Sequence, residues 1–291
     1  MDKVIFRVTS VESYQLSNKK IYVKREDQCA FEPMPPLSKL RGIYKHLEQY
    51  QKGTLIGVCD TRVSKSGAGV AAICNELGLR CNHYFPLKKG EELLNENRKL
   101  SESNGATLIP LQAGAIRFVW QHAKKDMESK KGIMLPHGLP FFETVEETAR
   151  VVMEEIDHNL LNGSIVMATG TATIFAGVVC GLIQSGTIPQ RLVGISSGMS
   201  KVKQHGNIYR HVAQYWKSRL CGSSNEWEHS KNWATLQKRM ELRDPIMDYN
   251  DESKIESPFP THPNYDRKAW EWLSKVTHLL PEPILFWNIG A

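Results

Sequence analysis

Two short stretches near the amino terminus, Ile21-Tyr-Val-Lys-Arg-Glu-Asp27 and Leu37-Ser-Lys-Leu-Arg41, carry the strongest fold signal in the chain. The first is an apolar run that ends in charged residues, which predicts a β-strand. The second opens an amphipathic stretch and predicts a helix with Lys39 at its start. A desolvated lysine at a helix start, close to other cations, has a lowered pKa and can attack an aldehyde. Taken alone, however, a lysine is more often an ordinary surface residue.

From Leu55 onward, short apolar runs alternate with amphipathic stretches. This alternation predicts an α/β protein with open, twisted parallel sheets and helices on both faces. Strands are predicted at residues 21–24, 55–59, 80–85, 107–110, 132–135, 164–168, 191–195 and 283–287. Helices are predicted at residues 38–51, 69–77, 91–104, 115–129, 145–159 and 173–184. The pattern fails between residues 199 and 263, where the strand signal nearly disappears.

Length and composition restrict the protein class. At 291 residues the chain is long enough for two lobes, since one domain takes about 100 to 200 residues. No stretch approaches the ~18 consecutive apolar residues of a membrane span, and the first residues lack the pattern of a secretory signal, so we expect a soluble cytoplasmic protein. The six cysteines form no CxxC pair, which argues against a metal site and against disulfides.

Four further stretches carry candidate functional residues. Val63-Ser-Lys-Ser-Gly-Ala-Gly-Val70 lies between a predicted strand and a predicted helix. Ala168-Thr-Gly-Thr-Ala-Thr173 follows a strand and opens a helix, an arrangement that binds phosphate through backbone N–H groups. His262-Pro-Asn-Tyr-Asp-Arg-Lys-Ala269 and Ile284-Leu-Phe-Trp-Asn-Ile-Gly-Ala291 lie near the carboxyl terminus. Plain alternatives exist: the stretch at 63–70 is a glycine-rich turn, and Asp266 caps a helix that begins near Arg267.

In this order, the stretches resemble the fold-type II pyridoxal-phosphate enzymes of the tryptophan synthase β type. The resemblance is most detailed to the branch that contains aminocyclopropane-carboxylate deaminase and D-cysteine desulfhydrase, and it spans nearly the whole chain. It implies that Lys39 forms a Schiff base with pyridoxal 5'-phosphate. It also implies a cofactor in the cleft between a large lobe (residues 1–50 and 140–291) and a small lobe (residues 51–139).

The same resemblance assigns roles to individual residues. Ser64 matches a serine that contacts substrate, and Tyr265 matches a tyrosine that approaches it. Lys65 stands where the family usually has an Asn beside the phenolic oxygen of the cofactor. Asp266 matches a carboxylate at the pyridine nitrogen, and Ile289 replaces the hydroxyl residue that serves this nitrogen in other members. The phosphate cup and a further cofactor-binding candidate are Thr169, Gly170, Thr171, Ala172 and Thr173, with Asn288.

The cofactor labilises a bond at the Cα of an amino-group substrate, and the protein decides which bond by orienting it. The sequence does not show that orientation. One hypothesis is deamination or elimination on a free small amino acid, with Lys39 moving the proton and with Tyr265 and Ser64 acting at the leaving group. A second is a decarboxylase or lyase reaction on an amino acid that is tethered to a modified base in phage-type DNA. A third is a catalytically inactive protein that binds the cofactor. We expect a homodimer.

The second hypothesis depends on the segment at residues 201–243. It contains nine Lys or Arg and three acidic residues, an excess equal to the net charge of +6. Cations and aromatics interleave there, which is typical of nucleic-acid binding. The candidate binding residues are Arg210, Lys217, Arg219 and Trp216, with Tyr209, Tyr215, Trp227 and Trp233 as further aromatics. The alternative is an amphipathic helix with a solvated basic face and aromatics that pack into the lobe or a dimer interface.

Overall fold

The structure is a computed structural model that describes residues 6, 8–30, 36–112, 115–219, 231–244 and 246–290. The chain divides into two compact units, one formed by Met1–Cys29 with Phe142–Ala291 and the other by Ala30–Phe141. The strands of the described residues are β1 (Val11–Leu16), β2 (Lys19–Arg25), β3 (Leu55–Cys59), β4 (Arg80–Pro86), β5 (Thr107–Leu111), β6 (Ile133–Met134), β7 (Ser164–Thr169), β8 (Arg191–Ser196), β9 (Met240–Arg243) and β10 (Ile284–Asn288). The helices are α1 (Leu40–Leu47), α2 (Ser66–Leu77), α3 (Glu96–Ser103), α4 (Ile116–Ser129), α5 (Phe142–Glu154), α6 (Thr173–Ser185), α7 (Lys201–Arg219), α8 (Lys231–Arg239) and α9 (Asp266–Val276).

The first unit contains a six-stranded sheet in the order β1-β2-β10-β7-β8-β9. Its neighbours are parallel except for the antiparallel pair β1 and β2. All residues of β7 and β10 are buried. Central parallel strands are covered on both faces, which explains why these two strands are continuous apolar runs in the sequence.

Helices cover both faces of this sheet. On one face, residues of α5, α6, α7 and α8 form one core cluster with the inward side chains of β7, β8 and β10. The helices α5 and α6 cross closely, since a Cβ on Gly177 would lie 2.4 Å from Thr148 Cβ and one on Gly181 would lie 2.6 Å from Val152 Cβ. On the other face, Trp270 and Leu273 of α9 pack in a second cluster with Phe286 of β10. The predicted α/β architecture with parallel sheets and helices on both faces is confirmed.

The second unit contains a parallel four-stranded sheet in the order β5-β4-β3-β6. Residues 30–50 group with this unit and not with the large lobe, to which the sequence analysis assigned them. The physical reason is that α1 packs on α2: a Cβ on Gly69 would lie 2.9 Å from Leu40 Cδ2. Lys39 therefore stands in the second unit.

All eight predicted strands are present, with ends that differ by one or two residues. The antiparallel β1 was not predicted, nor was β9 inside the irregular stretch at 199–263, where only one of four residues is buried. Five cysteines are buried free thiols, whereas Cys221 lies outside the described residues. Within the described ranges no helix is long and apolar enough to cross a membrane, and no group of metal-binding side chains occurs.

Candidate functional site

Lys39 is the residue immediately before α1, and it is half-buried. Its Nζ donates a hydrogen bond to the carbonyl oxygen of Gly138 at 2.6 Å. Burial lowers the pKa of Lys39 to about 8. The same burial effect lowers the pKa of neighbouring His137, with Asp60 opposing the shift and Lys39 adding to it. The second unit thus holds an amine that loses its proton more readily than an exposed lysine does.

The stretch at residues 63–70 forms the loop before α2 and the first turn of that helix. Ser64 Oγ accepts the N–H of Ser66 at 3.1 Å, and Lys65 occupies the N-cap position of α2. The Gly67 N–H binds Asp60 Oδ2 at 2.7 Å. The carboxylate of Asp60 therefore lies at the positive end of the helix, where a negative charge is stabilised.

Asp60 belongs to a buried hydrogen-bonded chain that the sequence did not indicate. Its Oδ1 lies 2.8 Å from His83 Nε2, and His83 Nδ1 lies 2.9 Å from Ser101 Oγ. The Ser101 hydroxyl in turn donates to the Asn97 carbonyl at 3.0 Å. Asp60 and Ser101 therefore hold the His83 ring at its two nitrogens. The three residues stand 18 and 23 positions apart in the chain, so no local pattern could have revealed them.

The stretch at 168–173 forms the end of β7 and the loop into α6. Ala172 is the N-cap residue of α6, with a φ of 68°. The Thr171 and Thr173 hydroxyls lie 3.1 Å apart. Thr169 Oγ1 is buried without a hydrogen-bond partner among the described residues. A Cβ on Gly170 would meet only Ser197 Oγ, at 3.4 Å, so the backbone here leaves room for a ligand.

This 169–173 loop is supported by residues that the sequence analysis missed. The Thr169 carbonyl accepts the Ser197 N–H at 3.0 Å and Gln204 Nε2 at 3.0 Å. The Thr171 carbonyl accepts Asn207 Nδ2 at 3.3 Å. Gln204 and Asn207 lie on α7, so hydrogen bonds connect this helix to the loop. In the sequence, only the presence of polar side chains on one face of α7 could have indicated these supporting residues.

Tyr265 stands before α9 and is hydrogen-bonded through its hydroxyl to the hydroxyl of Tyr249. The two rings are 5.8 Å apart at an angle of 71°. Tyr249 packs against Gly198, where a Cβ would lie 2.9 Å from Tyr249 Cβ and where φ is +155°. Tyr249 is a further candidate that the sequence analysis missed, because it stands in an irregular loop 16 residues before Tyr265.

Asp266 is fully buried in the first turn of α9. Its Oδ1 accepts the N–H of Ile289 at 2.9 Å, so the carboxylate is turned toward the end of β10. Asn288, the last residue of β10, donates from Nδ2 to the Pro260 carbonyl at 2.8 Å, and its Oδ1 is buried without a partner among the described residues. Since β7, β8 and β10 are parallel neighbours, Thr169, Ser196 and Asn288 meet at one carboxyl edge of the sheet.

The charged residues that end β2 form a structural network. Lys24 is fully buried, and its Nζ donates to Glu155 Oε2 at 2.8 Å and to the Thr9 carbonyl at 2.7 Å. Arg25 binds both carboxylate oxygens of Asp27, at 2.9 and 2.8 Å. These contacts fix the end of β2 within the first unit.

The proposed nucleic-acid residues lie on α7. Arg210, Lys217 and Arg219 are exposed, whereas Trp216 is half-buried against the core and 5.5 Å from Tyr215. Tyr215 and Trp233 are buried in that core, and Tyr209 is 45% exposed. Tyr215, Trp216 and Trp233 therefore pack against the core, as the amphipathic-helix alternative predicts, while the cations remain at the surface. Trp227 lies outside the described residues.

Comparison with known proteins identifies the family. The family model for pyridoxal-phosphate dependent enzymes, PALP, matches residues 7–252. The chain belongs to this family. It is therefore an enzyme that uses pyridoxal phosphate, as the sequence resemblance implied.

Similar proteins span the whole length of this PALP enzyme. The glycyl-dTMP PLP-dependent decarboxylase of Pseudomonas phage M6 is 32% identical over 296 residues, covering 99% of this chain and all of the phage protein. A solved homologue of ACC deaminase superposes with a TM-score of 0.76 at 19% identity, over 99% of this chain and 90% of the other. A fungal L-serine ammonia-lyase from Rhizomucor miehei superposes with a TM-score of 0.62 at 15% identity, over 98% of this chain and 93% of the other.

The residues of this PALP enzyme fit the cofactor. An aldehyde needs a neutral amine, and Lys39 has a pKa lowered to about 8. A phosphate needs hydrogen-bond donors at a helix start, and the 169–173 loop has a buried, unpartnered hydroxyl there together with the open space at Gly170. A protonated pyridine nitrogen needs a buried carboxylate, and Asp266 is one.

Proposed function

We propose that this enzyme is a decarboxylase that removes the α-carboxylate of an amino-acid group carried by a thymine nucleotide. The observation that carries the proposal is the end-to-end similarity to the phage M6 glycyl-dTMP decarboxylase, at 32% identity. In the reaction, the bond between Cα and the carboxyl carbon breaks, carbon dioxide leaves, and a proton is added to Cα. The amino group remains on the product.

Pyridoxal phosphate, when bound, supplies an electron sink that labilises the bonds at the Cα of an amine attached to it. Lys39 would hold the cofactor through Nζ, whose lowered pKa favours the neutral amine. The same Nζ would supply the proton that is added to Cα. The Gly138 carbonyl, 2.6 Å from Nζ, orients this amine.

The other candidate residues bind the cofactor or position the substrate. Thr169, Thr171 and Thr173 would hold the phosphate with the backbone of their loop, since a dianion is stabilised at the start of a helix. Asp266 would keep a proton on the pyridine nitrogen, which strengthens the electron sink. The hydroxyls of Tyr265 and Tyr249 act as one hydrogen-bonded unit beside the substrate. Ser64 contacts the substrate from the α2 loop.

The test is a product analysis with glycyl-dTMP and with an oligonucleotide that carries the glycyl-modified thymine. The purified holoenzyme should release carbon dioxide from at least one of them, and mass spectrometry should find an amine that has kept its nitrogen. Lys39→Ala should release none. Release of ammonia with formation of a keto product would instead support deamination and would reject the proposed reaction.

A further inference from the structure

The inner side of α7 is attached to the proposed cofactor loop. Gln204 is fully buried, and its Nε2 donates to the Thr169 carbonyl at 3.0 Å and to Ser196 Oγ at 2.9 Å. One turn later, Asn207 Nδ2 donates to the Thr171 carbonyl at 3.3 Å. The position of α7 and the position of the 169–173 loop are therefore coupled by direct hydrogen bonds.

The outer side of α7 carries a row of exposed cations, Lys203, Arg210 and Lys217. Their spacing of seven residues places them on one face, because two helical turns take about 7 residues. At a rise of about 1.5 Å per residue the row is about 21 Å long. Lys203 and Lys217 form no ion pair with any residue that the structure describes. Arg210 Nη2 donates to Asn207 Oδ1 at 3.1 Å, which links the row to the inner side.

Other residues of the basic segment are used within the fold. Arg219 stacks on Tyr215, with its guanidinium carbon 4.5 Å from the ring centre, and lies 3.7 Å from Glu146 Oε1. Lys201 Nζ lies 3.1 Å from Asp244 Oδ2. Lys231 and Lys238 of α8 are also exposed, but the row of three, which we name the α7 row, is the part of the segment that lies on the helix bonded to the 169–173 loop.

We propose that the α7 row binds the phosphate backbone of DNA, and that the substrate is a modified thymine within a DNA strand. This inference rests on the proposed function and specifies its substrate class. The length of the row matches about six phosphates at ~3.4 Å per nucleotide of one strand. Because α7 is bonded to the 169–173 loop, a strand held on the row is placed at a fixed distance from that loop.

The experiment compares two triple variants of the holoenzyme. The first is Lys203→Ala, Arg210→Ala, Lys217→Ala, which removes the row and keeps strong helix formers. The second is Lys89→Ala, Lys99→Ala, Lys125→Ala, which removes three exposed cations of the second unit. Both are tested with unmodified DNA oligonucleotides, with the glycyl-modified oligonucleotide and with glycyl-dTMP. Cofactor absorbance and thermal unfolding confirm that each variant is folded.

Three phosphate contacts give a slope of about −2.1 to −2.7 for log affinity against log salt, which corresponds to a loss of affinity of about 20- to 40-fold between 50 and 200 mM. We expect the first variant to lose this slope and to lose kcat/KM on the oligonucleotide by about tenfold or more at low salt relative to any change on glycyl-dTMP. The second variant should behave like wild type. If both variants bind unmodified DNA equally, or if wild type acts only on glycyl-dTMP, the inference is wrong. Absence of decarboxylation on both substrates, with DNA binding that depends on the row, would instead reject the proposed function alone.

Discussion

At the scale of single residues, the burial of Lys39 predicts that the stability of the protein depends on pH. Burial lowers its pKa from 10.5 to about 8, so between these values the unfolded chain binds a proton that the folded protein does not. Stability contributed by this group therefore rises with pH over that interval. We expect apo Lys39→Met to be more stable than apo wild type at pH 7, and this difference to shrink toward pH 10.5. Urea unfolding of both proteins at several pH values measures it, and a constant difference would contradict the assignment.

The Asp60 and His83 pair gives a second prediction at this scale. The ring of His83 is held by two partners, with Asp60 Oδ1 2.8 Å from Nε2 and Ser101 Oγ 2.9 Å from Nδ1. Asp60→Ala removes one of these partners and also the acceptor of the Gly67 N–H, so it should destabilise the protein by about 1–3 kcal/mol, as unpaired buried polar groups do. Urea unfolding of the two proteins measures this loss, and an unchanged free energy of unfolding would contradict the hydrogen-bonded chain.

Gly170 tests the proposed phosphate loop. A side chain fits at this position, since the nearest atom to a Cβ is Ser197 Oγ at 3.4 Å, so folding should survive substitution. Gly170→Glu places a negative charge where a phosphate dianion is proposed to bind, whereas Gly170→Gln has the same shape without the charge. We expect cofactor affinity to fall much further in the Glu variant, by about tenfold or more relative to Gln, because like charges repel. Equal affinities, measured by absorbance titration, would place the phosphate elsewhere.

At the scale of elements, the crossing of α5 and α6 depends on glycine. A Cβ on Gly177 would lie 2.4 Å from Thr148 Cβ and 2.9 Å from the Val145 carbonyl oxygen. Gly177→Ala should therefore destabilise the protein by about 1–3 kcal/mol, as overpacked cores do. Gly206→Ala on α7 is the matched control, because nothing lies within 4 Å of its Cβ and alanine is the better helix former by about 1 kcal/mol. Urea unfolding should show that Gly177→Ala lowers the free energy of unfolding and that Gly206→Ala raises it. A stabilising Gly177→Ala would reject the close crossing.

The elements also show what the sequence could predict. Regular alternation was sufficient for the strands predicted at 55–59 and 164–168, because local patterns determine these features. It was insufficient for β9, a short edge strand with one buried residue. The assignment of residues 30–50 to a unit depends on the packing of α1 against α2, which is a tertiary contact without a local signal.

At the scale of the whole molecule, candidate residues gather at the carboxyl edges of both sheets. Thr169, Ser196 and Asn288 end parallel strands of the first sheet, while Asp60 follows β3 in the second unit and the segment with His137 and Gly138 follows β6. Ligands of open α/β sheets bind at such edges, so the position of the 169–173 loop after a strand indicated its role. The role of Lys39 was indicated by the family resemblance of its motif. Tyr249 and His83 required the folded chain, because each is placed by partners distant in sequence.

The last prediction follows from the proposal that Lys39 holds the cofactor aldehyde and that the 169–173 loop holds its phosphate. A ligand that binds only the folded protein stabilises it by RT ln(1 + [L]/Kd), about 2.7 kcal/mol at a hundredfold excess over Kd. We expect pyridoxal phosphate to slow amide hydrogen exchange in peptides from both regions, residues 37–47 and 168–180. Pyridoxal without the phosphate should protect mainly the first region, and Lys39→Met with pyridoxal phosphate mainly the second. Protection by pyridoxal phosphate of neither region in a folded sample would overturn both assignments, since each predicts local ordering where its contacts are made.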